Sequence, residues 1–372
     1  MKFVSLRPKD PPGASRAYAL VAVAMEDAAL AAWHWKHAYR REAPDNGRLF
    51  EAPPDPSYPS EHAAIAGAAA RVLAYLYPEQ PAARLERDAE EAARSRVTAG
   101  VSYPSDADAG LRLGRAVADR VVAYARRDGS TRDWDGSRPP HSPRYWDPPP
   151  GSAARPVQPL AGSWKTWVMP SGDRFRPPPP PPFGSREFRK DARRLIRVQD
   201  NLTPRQKRLA KFWEGGQGTE LPPGIWLRVM IRYLRDRPLS APRAARVFAL
   251  LAVAMADAGV AAWDAKYVYW YPRPENAIRD SGIDRDWKPY IPTPFFPAYV
   301  SGHATYSAAA GDVLAHLFPE DAKTWLRRGK EGGLSRVWGG IHWTFDGTEG
   351  ARVGHRIARL VIQRARGDGA EE

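Results

Sequence analysis

A helical pattern near the N-terminus returns in the C-terminal half, and this repeat constrains the possible folds more than any other feature of the sequence. The run LVAVAMEDA at residues 20–28 returns as LAVAMADA at 251–258, and AAW-x2-K at 31–36 returns at 261–266. The 372 residues are enough for about two domains of ordinary size. The repeat therefore indicates two copies of one structural unit.

The repeated segments have helical rather than strand-like patterns. Apolar residues recur at helical spacing, alanine is abundant, and few runs alternate between apolar and polar residues as a half-buried strand does. We therefore predict an all-α fold of two helical bundles related by an internal pseudo-two-fold repeat. The predicted divisions are a degenerate N-terminal repeat at 1–130, a proline-rich connector at 131–185 and a C-terminal repeat at 186–372.

Proline dominates the connector, including an uninterrupted run at 177–182. Proline lacks the backbone N–H that a helix interior needs, so we predict an extended or polyproline conformation. Such a tract can bind modules of the SH3 type, but packing against its own protein is favoured, with Trp146, Trp164 and Trp167 as anchors. After the connector, Ser185 is a candidate helix cap, and residues 203–206 (TPRQ) have the pattern of a capping box.

Three cations in the C-terminal half are spaced as if to meet around one anion. Lys266 and Arg273 belong to one segment and Arg336 to another. Bringing three positive charges together is costly unless an anion neutralises them, so one pocket holding all three implies phosphate, vanadate or sulfate. Ser301 and Gly302 precede an alanine-rich helical run, and their backbone N–H groups would add uncharged donors at a helix start.

Two imidazoles complete this predicted oxyanion site. His342 and Asp346 are four residues apart, which lets the carboxylate accept a hydrogen bond from one ring nitrogen and leave the other free to ligate a metal or attack phosphorus. His303 follows Gly302 and is placed to give or take a proton, with a pKa lowered by the nearby cations. His316, His355 and His141 lie outside these motifs and are predicted to be structural.

The N-terminal copy lacks decisive residues of this site. It keeps Lys36, Ser60, His62, Arg96 and Asp106 at corresponding positions. The residues that differ are Ala43, Glu61 and Ser102, which stand in place of Arg273, Gly302 and His342. Because Glu61 would place a negative charge at an anion-binding helix start, we predict a structural copy in which Lys36 and Arg96 pair with carboxylates.

The C-terminal motifs resemble those of the vanadium-dependent haloperoxidases and of the type 2 phosphatidic acid phosphatase superfamily, which shares their site. The resemblance covers residues 160–360 and is closest to the soluble haloperoxidase-like branch. Val300 is a departure, because the family usually has proline before Ser-Gly-His. The segments that carry the resemblance are ADAG at 256–259, FPAYVSGHAT at 296–305, SRVWGGIHW at 335–343, LTPRQ at 202–206, AKFW at 210–213 and PPGIW at 222–226.

The resemblance implies a role for each site residue. His342 would bond vanadium, and His303 would assist peroxide binding as acid and base. Lys266 would polarise the peroxide, and halide would then be oxidised to hypohalous acid. The vanadate oxygens would accept hydrogen bonds from Lys266, Arg273, Ser301, Gly302 and Arg336.

Trp263 and Phe296 are either core residues or walls of a halide or substrate pocket, and the sequence leaves both open. Vanadate would be the cofactor, and peroxide, halide and a small organic acceptor the partners.

A soluble acid phosphatase is the alternative within the same superfamily. There His342 would attack phosphorus, His303 would protonate the leaving alkoxide, and the cations would stabilise the transition state. The substrate would be a phosphate ester, and no cofactor would be needed. We favour the haloperoxidase because Trp263, Phe296 and the segments around 212–213 and 222–224 follow that branch.

Composition bears on two further function classes. The formal net charge of +14 could suggest nucleic-acid binding, but the basic residues are scattered through helices, so we predict none. The intact C-terminal motifs also disfavour a catalytically inactive scaffold protein.

No run of 18 uninterrupted apolar residues occurs, because Glu26, Asp27 and Asp257 break the best candidates, so we predict a soluble chain without a membrane span. Without cysteine the chain has no disulfides. The sequence leaves the compartment open: cytoplasm, or periplasm or exterior if a leader was removed. It also leaves an oligomer possible.

Overall fold

The computed structural model describes residues 1–6, 10–45, 47, 49, 55–148 and 155–370, and in these ranges its regular structure is helical, with no β-strand. This confirms the predicted all-α fold. The helices are α1 (Lys2–Leu6), α2 (Pro11–Tyr39), α3 (Glu61–Leu76), α4 (Ala82–Thr98), α5 (Pro104–Ala125), α6 (Arg186–Asp200), α7 (Pro204–Phe212), α8 (Leu221–Arg235), α9 (Ala241–Tyr269), α10 (Pro274–Asp280), α11 (Gly302–Leu317), α12 (Ala322–Trp338) and α13 (Thr344–Arg366).

The chain divides into two compact units, neither of which is one continuous segment. The first consists of Met1–Ser15, Gly129–Val229 and Val253–Glu372. The second consists of Arg16–Asp128 and Met230–Ala252. The division into 1–130, 131–185 and 186–372 remains a prediction about the repeats.

The sequence repeat corresponds to a repeat of helix lengths. Helices α2 and α9 both have 29 residues, α3 and α11 both have 16, and α4 and α12 both have 17. Helices α5 and α13 have 22 and 23. In the second unit α3 packs against α4 and α5, and in the first unit α11 packs in the same way against α12 and α13. Each unit thus contains its own copy of one helical motif.

The same residue types start equivalent helices in the two copies. The hydroxyl of Ser60 accepts a hydrogen bond from the backbone N–H of Ala63 at 3.4 Å, and that of Ser301 accepts one from Ala304 at 3.3 Å. These are N-caps, which satisfy a backbone donor that has no partner inside the helix. The predicted caps at Ser185 and Thr203 are confirmed as well.

Glycine allows α13 to lie directly against α11. A Cβ atom on Gly350 would stand 2.7 Å from the carbonyl oxygen of Ser301, and one on Gly354 would stand 2.4 Å from that of Thr305. Any side chain at either position would push the helices apart. Because of this close approach, the N-terminal turn of α13 reaches the N-terminal end of α11, where the candidate site lies.

The polyproline run packs on its own protein, as predicted. Its carbonyl oxygens accept hydrogen bonds from three tyrosine hydroxyls at 2.7–2.8 Å. Trp146 and Trp164 are buried and Trp167 is half-buried, consistent with their predicted anchoring role. The tyrosine and proline pairs are Tyr269 with Pro177, Tyr299 with Pro178, and Tyr271 with Pro181.

Among the residues that the structure describes, one helical stretch, Ala241–Asp280, is long and apolar enough to be considered as a membrane span. However, 83% of its most apolar window is buried inside the protein. Such burial is typical of the core helix of a globular bundle.

Candidate active site

The last turn of α9 brings Lys266 into the interior, where it is completely buried. Its ammonium donates hydrogen bonds to the carbonyl oxygens of Pro297 and Ala298, both at 2.8 Å. An ammonium has three donors, so within the described part of the chain one remains for a bound anion. The cation is thus held in place by backbone that leads directly into the start of α11.

Arg273 lies at the N-cap of α10 and is 1% exposed. Its Nε donates to the carbonyl oxygen of Phe296, and its Nη1 donates to that of Ile341, each at 2.8 Å. Its Nη2 is buried and has no hydrogen-bond partner among the described residues. A buried guanidinium nitrogen without an acceptor is unfavourable, and an oxyanion oxygen would satisfy it.

Arg336, in the last turn of α12, is the third buried cation. Its Nη2 donates to the carbonyl oxygen of Ala210 at 2.5 Å, and its Nε donates to the hydroxyl of Ser335 at 3.1 Å. Burial lowers its pKa to about 9, although the half-buried carboxylate of Glu214 favours its charged form. At neutral pH the guanidinium is therefore charged.

His342 follows a tight turn at the end of α12, in which Gly340 has a φ of +77° that favours glycine. Its Nδ1 lies 2.8 Å from a carboxylate oxygen of Asp346, and its Nε2 lies 3.0 Å from Nη1 of Arg273. Asp346 also accepts a hydrogen bond from the backbone N–H of Trp343 at 3.2 Å. The carboxylate therefore orients the ring so that the lone pair of Nε2 points toward the cations.

His303 lies in the first turn of α11 and is half-buried. Its Nε2 lies 2.8 Å from the carbonyl oxygen of Trp213, so this nitrogen carries the proton. Burial and the charge of Arg336 lower its pKa well below the ordinary value. The sequence suggested an imidazole near the anion but gave no indication that the backbone after α7 fixes its tautomer.

Ser301 and Gly302 form the N-terminal end of α11, as predicted, and both are buried. The hydroxyl of Ser301 is the N-cap, and its backbone N–H donates to the carbonyl oxygen of Asp346 at 3.1 Å. This bond ties the start of α11 to the first turn of α13. The peptide bond between Tyr299 and Val300 is cis.

Trp263 and Phe296 lie beside the cations. Their rings are 5.0 Å apart, and the ammonium of Lys266 lies 5.2 Å from the Phe296 ring and 5.7 Å from the Trp263 ring. The guanidinium of Arg273 lies 4.8 Å from the Phe296 ring. Aromatic faces attract cations while excluding water, so this side of the site has an apolar wall.

The electrostatics of the site favour a bound anion. Burial, and secondarily Arg273, lowers the pKa of Lys266 well below its ordinary value. Burial also lowers the pKa of Arg273 and raises that of Asp346. Three buried cations face the carboxylates of Asp346 and Glu214 in the described part of the chain, so positive charge is in excess. A bound oxyanion would offset this excess and raise the pKa of each cation again.

These residues fit a vanadate or phosphate group better than a bare metal cation. The donor set consists of one oriented imidazole nitrogen, three buried basic side chains and a helix start, all of which suit negatively charged oxygens. The buried Nη2 of Arg273 is a donor that such an oxygen would satisfy. No cluster of three or more metal-ligating His, Cys, Asp or Glu side chains occurs among the described residues.

Sequence reasoning missed the groups that position this site. Backbone carbonyls carry no sequence signature, although those of residues 210, 213, 296–298 and 341 hold the cations and His303. Gln199 of α6 donates to the carbonyl oxygens of Val337 and Trp338 at 3.3 and 2.6 Å, next to the turn before His342. Asp191 of α6 accepts from the backbone N–H of Thr344 at 2.8 Å.

The corresponding position in the N-terminal copy is filled by a carboxylate of the chain. Glu61 lies 2.6 Å from the ammonium of Lys36, which confirms the predicted pairing of this lysine. That ammonium also donates to the carbonyl oxygen of Pro56 at 2.6 Å. Asp106 is fully buried and pairs with Arg41 at 2.9 Å. The pairing of Arg96 stays a prediction.

Sequence comparisons relate part of the chain to known enzymes. A family profile described as "VCPO second helical-bundle domain" matches residues 246–330 and 322–367. The chain is 28% identical over 148 residues to a vanadium chloroperoxidase of Curvularia inaequalis. It is 38% identical over 90 residues to a non-specific acid phosphatase of Salmonella typhi. These matches span 33% and 24% of the chain, and only 24% and 30% of the two relatives.

Solved structures show that the likeness in fold extends over almost the whole chain. A bacterial vanadium-dependent iodoperoxidase superposes with a TM-score of 0.79 at 22% identity, over 97% of this chain and 93% of that one. A bacterial vanadium-dependent chloroperoxidase in its holo form superposes with a TM-score of 0.72 at 18% identity, over 96% of this chain and 92% of that one. At these identities the likeness establishes the fold.

Proposed function

We propose that this chain, which belongs to the superfamily that vanadium-dependent haloperoxidases share with the type 2 phosphatidic acid phosphatases, is itself a vanadium-dependent haloperoxidase. It would oxidise halide with hydrogen peroxide to hypohalous acid, which then halogenates organic acceptors. The observation that carries the proposal is the geometry of His342, whose Nδ1 is held by Asp346 at 2.8 Å and whose Nε2 faces the buried cations. The names of the relatives support the choice of reaction.

The residues present suit vanadate, and each has a distinct task in holding it. His342 would supply the bond from Nε2. Donors to its oxygens would come from the side chains of Lys266, Arg273 and Arg336 and from the start of α11. There, Gly302 would donate through its backbone N–H and Ser301 through its hydroxyl, because the backbone N–H of Ser301 already donates to Asp346. Vanadate, when bound, supplies a Lewis acid that activates peroxide for two-electron oxidation of halide without changing its own oxidation state.

His303 would transfer the proton that the reaction needs. The overall reaction consumes one halide, one peroxide and one proton, and yields hypohalous acid and water. His303 is neutral in the free protein, because burial and Arg336 lower its pKa, and a bound anion would raise it. The imidazole would therefore take up a proton as the anion binds and deliver it to the departing oxygen.

The aromatic wall favours halide oxidation over ester hydrolysis. The Phe296 ring lies over both Lys266 and Arg273, at 5.2 and 4.8 Å, and shields them from water. Large halides are weakly hydrated and polarisable, so they lose little hydration free energy when they bind against an apolar wall beside a cation.

An acid phosphatase is the second candidate, and one feature favours it specifically. The unprotonated Nε2 of His342 is also a suitable nucleophile for phosphorus once it releases its hydrogen bond from Arg273. The acid phosphatase relative is also the more identical over its matched segment, at 38%. In that reaction the N–P bond forms as the ester P–O bond breaks, and His303 protonates the leaving alkoxide.

Titration with orthovanadate separates the two candidates. Bromide oxidation by hydrogen peroxide is followed with a dye that becomes brominated, while metal-free protein is titrated with orthovanadate. A saturable rise in rate supports the haloperoxidase. A flat titration, together with hydrolysis of p-nitrophenyl phosphate that vanadate inhibits, would replace it with the phosphatase.

A further inference from the structure

A cavity of about 540 Å³ adjoins the oxyanion site at Arg273. Its walls come from α10, from the loop at 288–295 and from Trp146 of the connector. A halide or a peroxide needs far less room, whereas small organic ligands bind in cavities of this size. Since Arg273 belongs both to this cavity and to the cation cluster, a ligand here would lie next to the reacting centre.

One side of the cavity is aromatic and rigid. Trp146 is buried, its backbone N–H donates to the carbonyl oxygen of Trp270 at 2.6 Å, and the two rings are 6.4 Å apart. Tyr290 and Phe295 add further aromatic surface, and prolines of the 288–295 loop line the wall between them. Fixed flat surfaces of this kind favour a planar ring over a flexible aliphatic chain.

The polar groups of the cavity leave positive charge in excess. The carboxylate of Glu275 is occupied by Arg279 at 3.1 Å and by the hydroxyl of Thr293 at 2.5 Å. Asp147 is held by His141 at 2.5 Å. Lys288, by contrast, is exposed and has no ion-pair partner among the described residues.

The amide of Asn276 also lines the cavity and has no hydrogen-bond partner in the described part of the chain. It can donate to a carboxylate oxygen or accept from a phenol. Together with Lys288 it provides unused polar contacts in the same cavity as the aromatic residues.

From these features we infer that the cavity binds the organic acceptor, and that the acceptor is an aromatic carboxylate whose ring is activated for halogenation, such as a hydroxybenzoate. The inference rests on the proposed haloperoxidase function. Hypohalous acid, formed at the neighbouring site, transfers halogen to a ring carbon. The C–X bond forms as the O–X bond breaks, and the ring proton leaves with hydroxide as water.

Calorimetry of a matched ligand pair tests this assignment directly. With the oxyanion site saturated by orthovanadate, 4-hydroxybenzoate and its neutral analogue 4-hydroxybenzyl alcohol are titrated into the protein. We expect the carboxylate to bind more tightly than the alcohol. Lys288→Ala should weaken the binding of 4-hydroxybenzoate about two- to fivefold, which is the contribution of an exposed ion pair. Lys190→Ala, which removes an exposed lysine of α6 outside the cavity, should change neither affinity.

Three results would overturn the assignment. These are equal binding of both ligands, an unchanged affinity in Lys288→Ala, and competition between 4-hydroxybenzoate and orthovanadate, which would place the carboxylate among the buried cations instead. Bromide oxidation without acceptor should be the same in wild type and Lys190→Ala. If the wild type does not oxidise bromide, the haloperoxidase proposal fails, whereas the ligand preference is decided by the calorimetry alone.

Discussion

The Nη1 of Arg273 lies 3.0 Å from the Nε2 of His342. Since an arginine in a protein keeps all its protons, this nitrogen of the imidazole must accept, and the ring proton must reside on Nδ1, which donates to Asp346 at 2.8 Å. Burial, followed by the charges of Arg273 and Lys266, lowers the pKa of His342 well below its ordinary value. The arginine thus fixes the tautomer of His342, and the Nε2 lone pair, which accepts from Arg273 here, would exchange that hydrogen bond for a bond to the central atom of an oxyanion.

Replacing His342 by alanine should abolish activity. His342→Ala removes the oriented nitrogen that both candidate reactions need, so vanadate-dependent bromide oxidation and p-nitrophenyl phosphate hydrolysis should each fall to background. Steady-state rates at saturating orthovanadate measure the first reaction, and vanadate-free assays measure the second.

The matched control for this substitution is His355→Ala. His355 also pairs with an aspartate, Asp312, at 2.7 Å, but lies outside the site. Its replacement should leave both rates unchanged. Full activity of His342→Ala would mean that the oxyanion site has been assigned to the wrong residues.

Replacing His303 by alanine should slow turnover more than it weakens anion binding. In the proposed reaction its role is proton transfer, for which loss of a general acid or base costs about 10²- to 10⁴-fold in rate. The vanadate dissociation constant, obtained from the titration of activity, should change far less. A loss of vanadate affinity equal to that of His342→Ala would contradict this division of roles.

The affinity for anions should fall as pH rises, because of His303. Its pKa is low in the free protein and rises when an anion offsets Arg336, so binding takes up a proton and low pH favours the complex. Sulfate, which does not titrate here, is a suitable probe between about pH 5 and pH 7, the range in which histidine changes charge. His303→Ala should flatten the dependence of sulfate affinity on pH. His62→Ala, at the equivalent N-terminal position, should leave that dependence unchanged. An identical slope in all three proteins would exclude His303 as the proton acceptor.

Asp257 should contribute strongly to stability. Its fully buried carboxylate accepts hydrogen bonds from the backbone N–H groups of Trp167, Val168 and Met169 at 2.8–3.0 Å, which ties the connector to α9. Asp257→Ala should lower the free energy of unfolding by about 3 kcal/mol, since each buried donor left without a partner costs roughly 1–3 kcal/mol. Urea denaturation measures the free energy of unfolding. Asp257→Asn, which keeps one acceptor oxygen, should lower it by less than Asp257→Ala. An unchanged midpoint in Asp257→Ala would show that these bonds contribute little.

Glu61 should make stability depend on acid pH. Burial by itself would raise its pKa, but the hydrogen bond from His62 and the charge of Lys36 outweigh burial and lower it from 4.5 to about 2. A carboxylate with a lowered pKa stabilises the fold above pH 4.5, and this contribution, about 3 kcal/mol, is lost as pH falls toward 2. Glu61→Gln should lose that stability at neutral pH and be less sensitive to acid.

Urea midpoints at neutral and acid pH measure the effect of Glu61→Gln. The control is Glu90→Gln, which removes an exposed carboxylate paired with Arg94 at 3.5 Å and should have little effect. Equal acid sensitivity in wild type and Glu61→Gln would show that the pair with Lys36 does not determine it.

Helix type and helix starts were predictable because they depend on nearby residues. Ser185, Thr203 and Ser301 cap helices through bonds to backbone N–H groups three residues away, and apolar spacing identified the long buried helix that contains Asp257. The pairing of His342 with Asp346 was predictable for the same reason, since both belong to one turn of chain. The close approach of α11 and α13 at Gly350 was not, because a glycine alone does not reveal which backbone it contacts.

The sequence by itself determined which chemical groups this protein could bring to a site and in what local order. Only the tertiary structure decided how they are held. Lys266 and Arg273 are positioned by carbonyl oxygens at 296–298, His303 by that of Trp213, and Arg336 by that of Ala210. Every residue has the same backbone carbonyl, so sequence cannot indicate which of them a buried cation will meet, whereas desolvation in the folded protein requires that each cation find an acceptor.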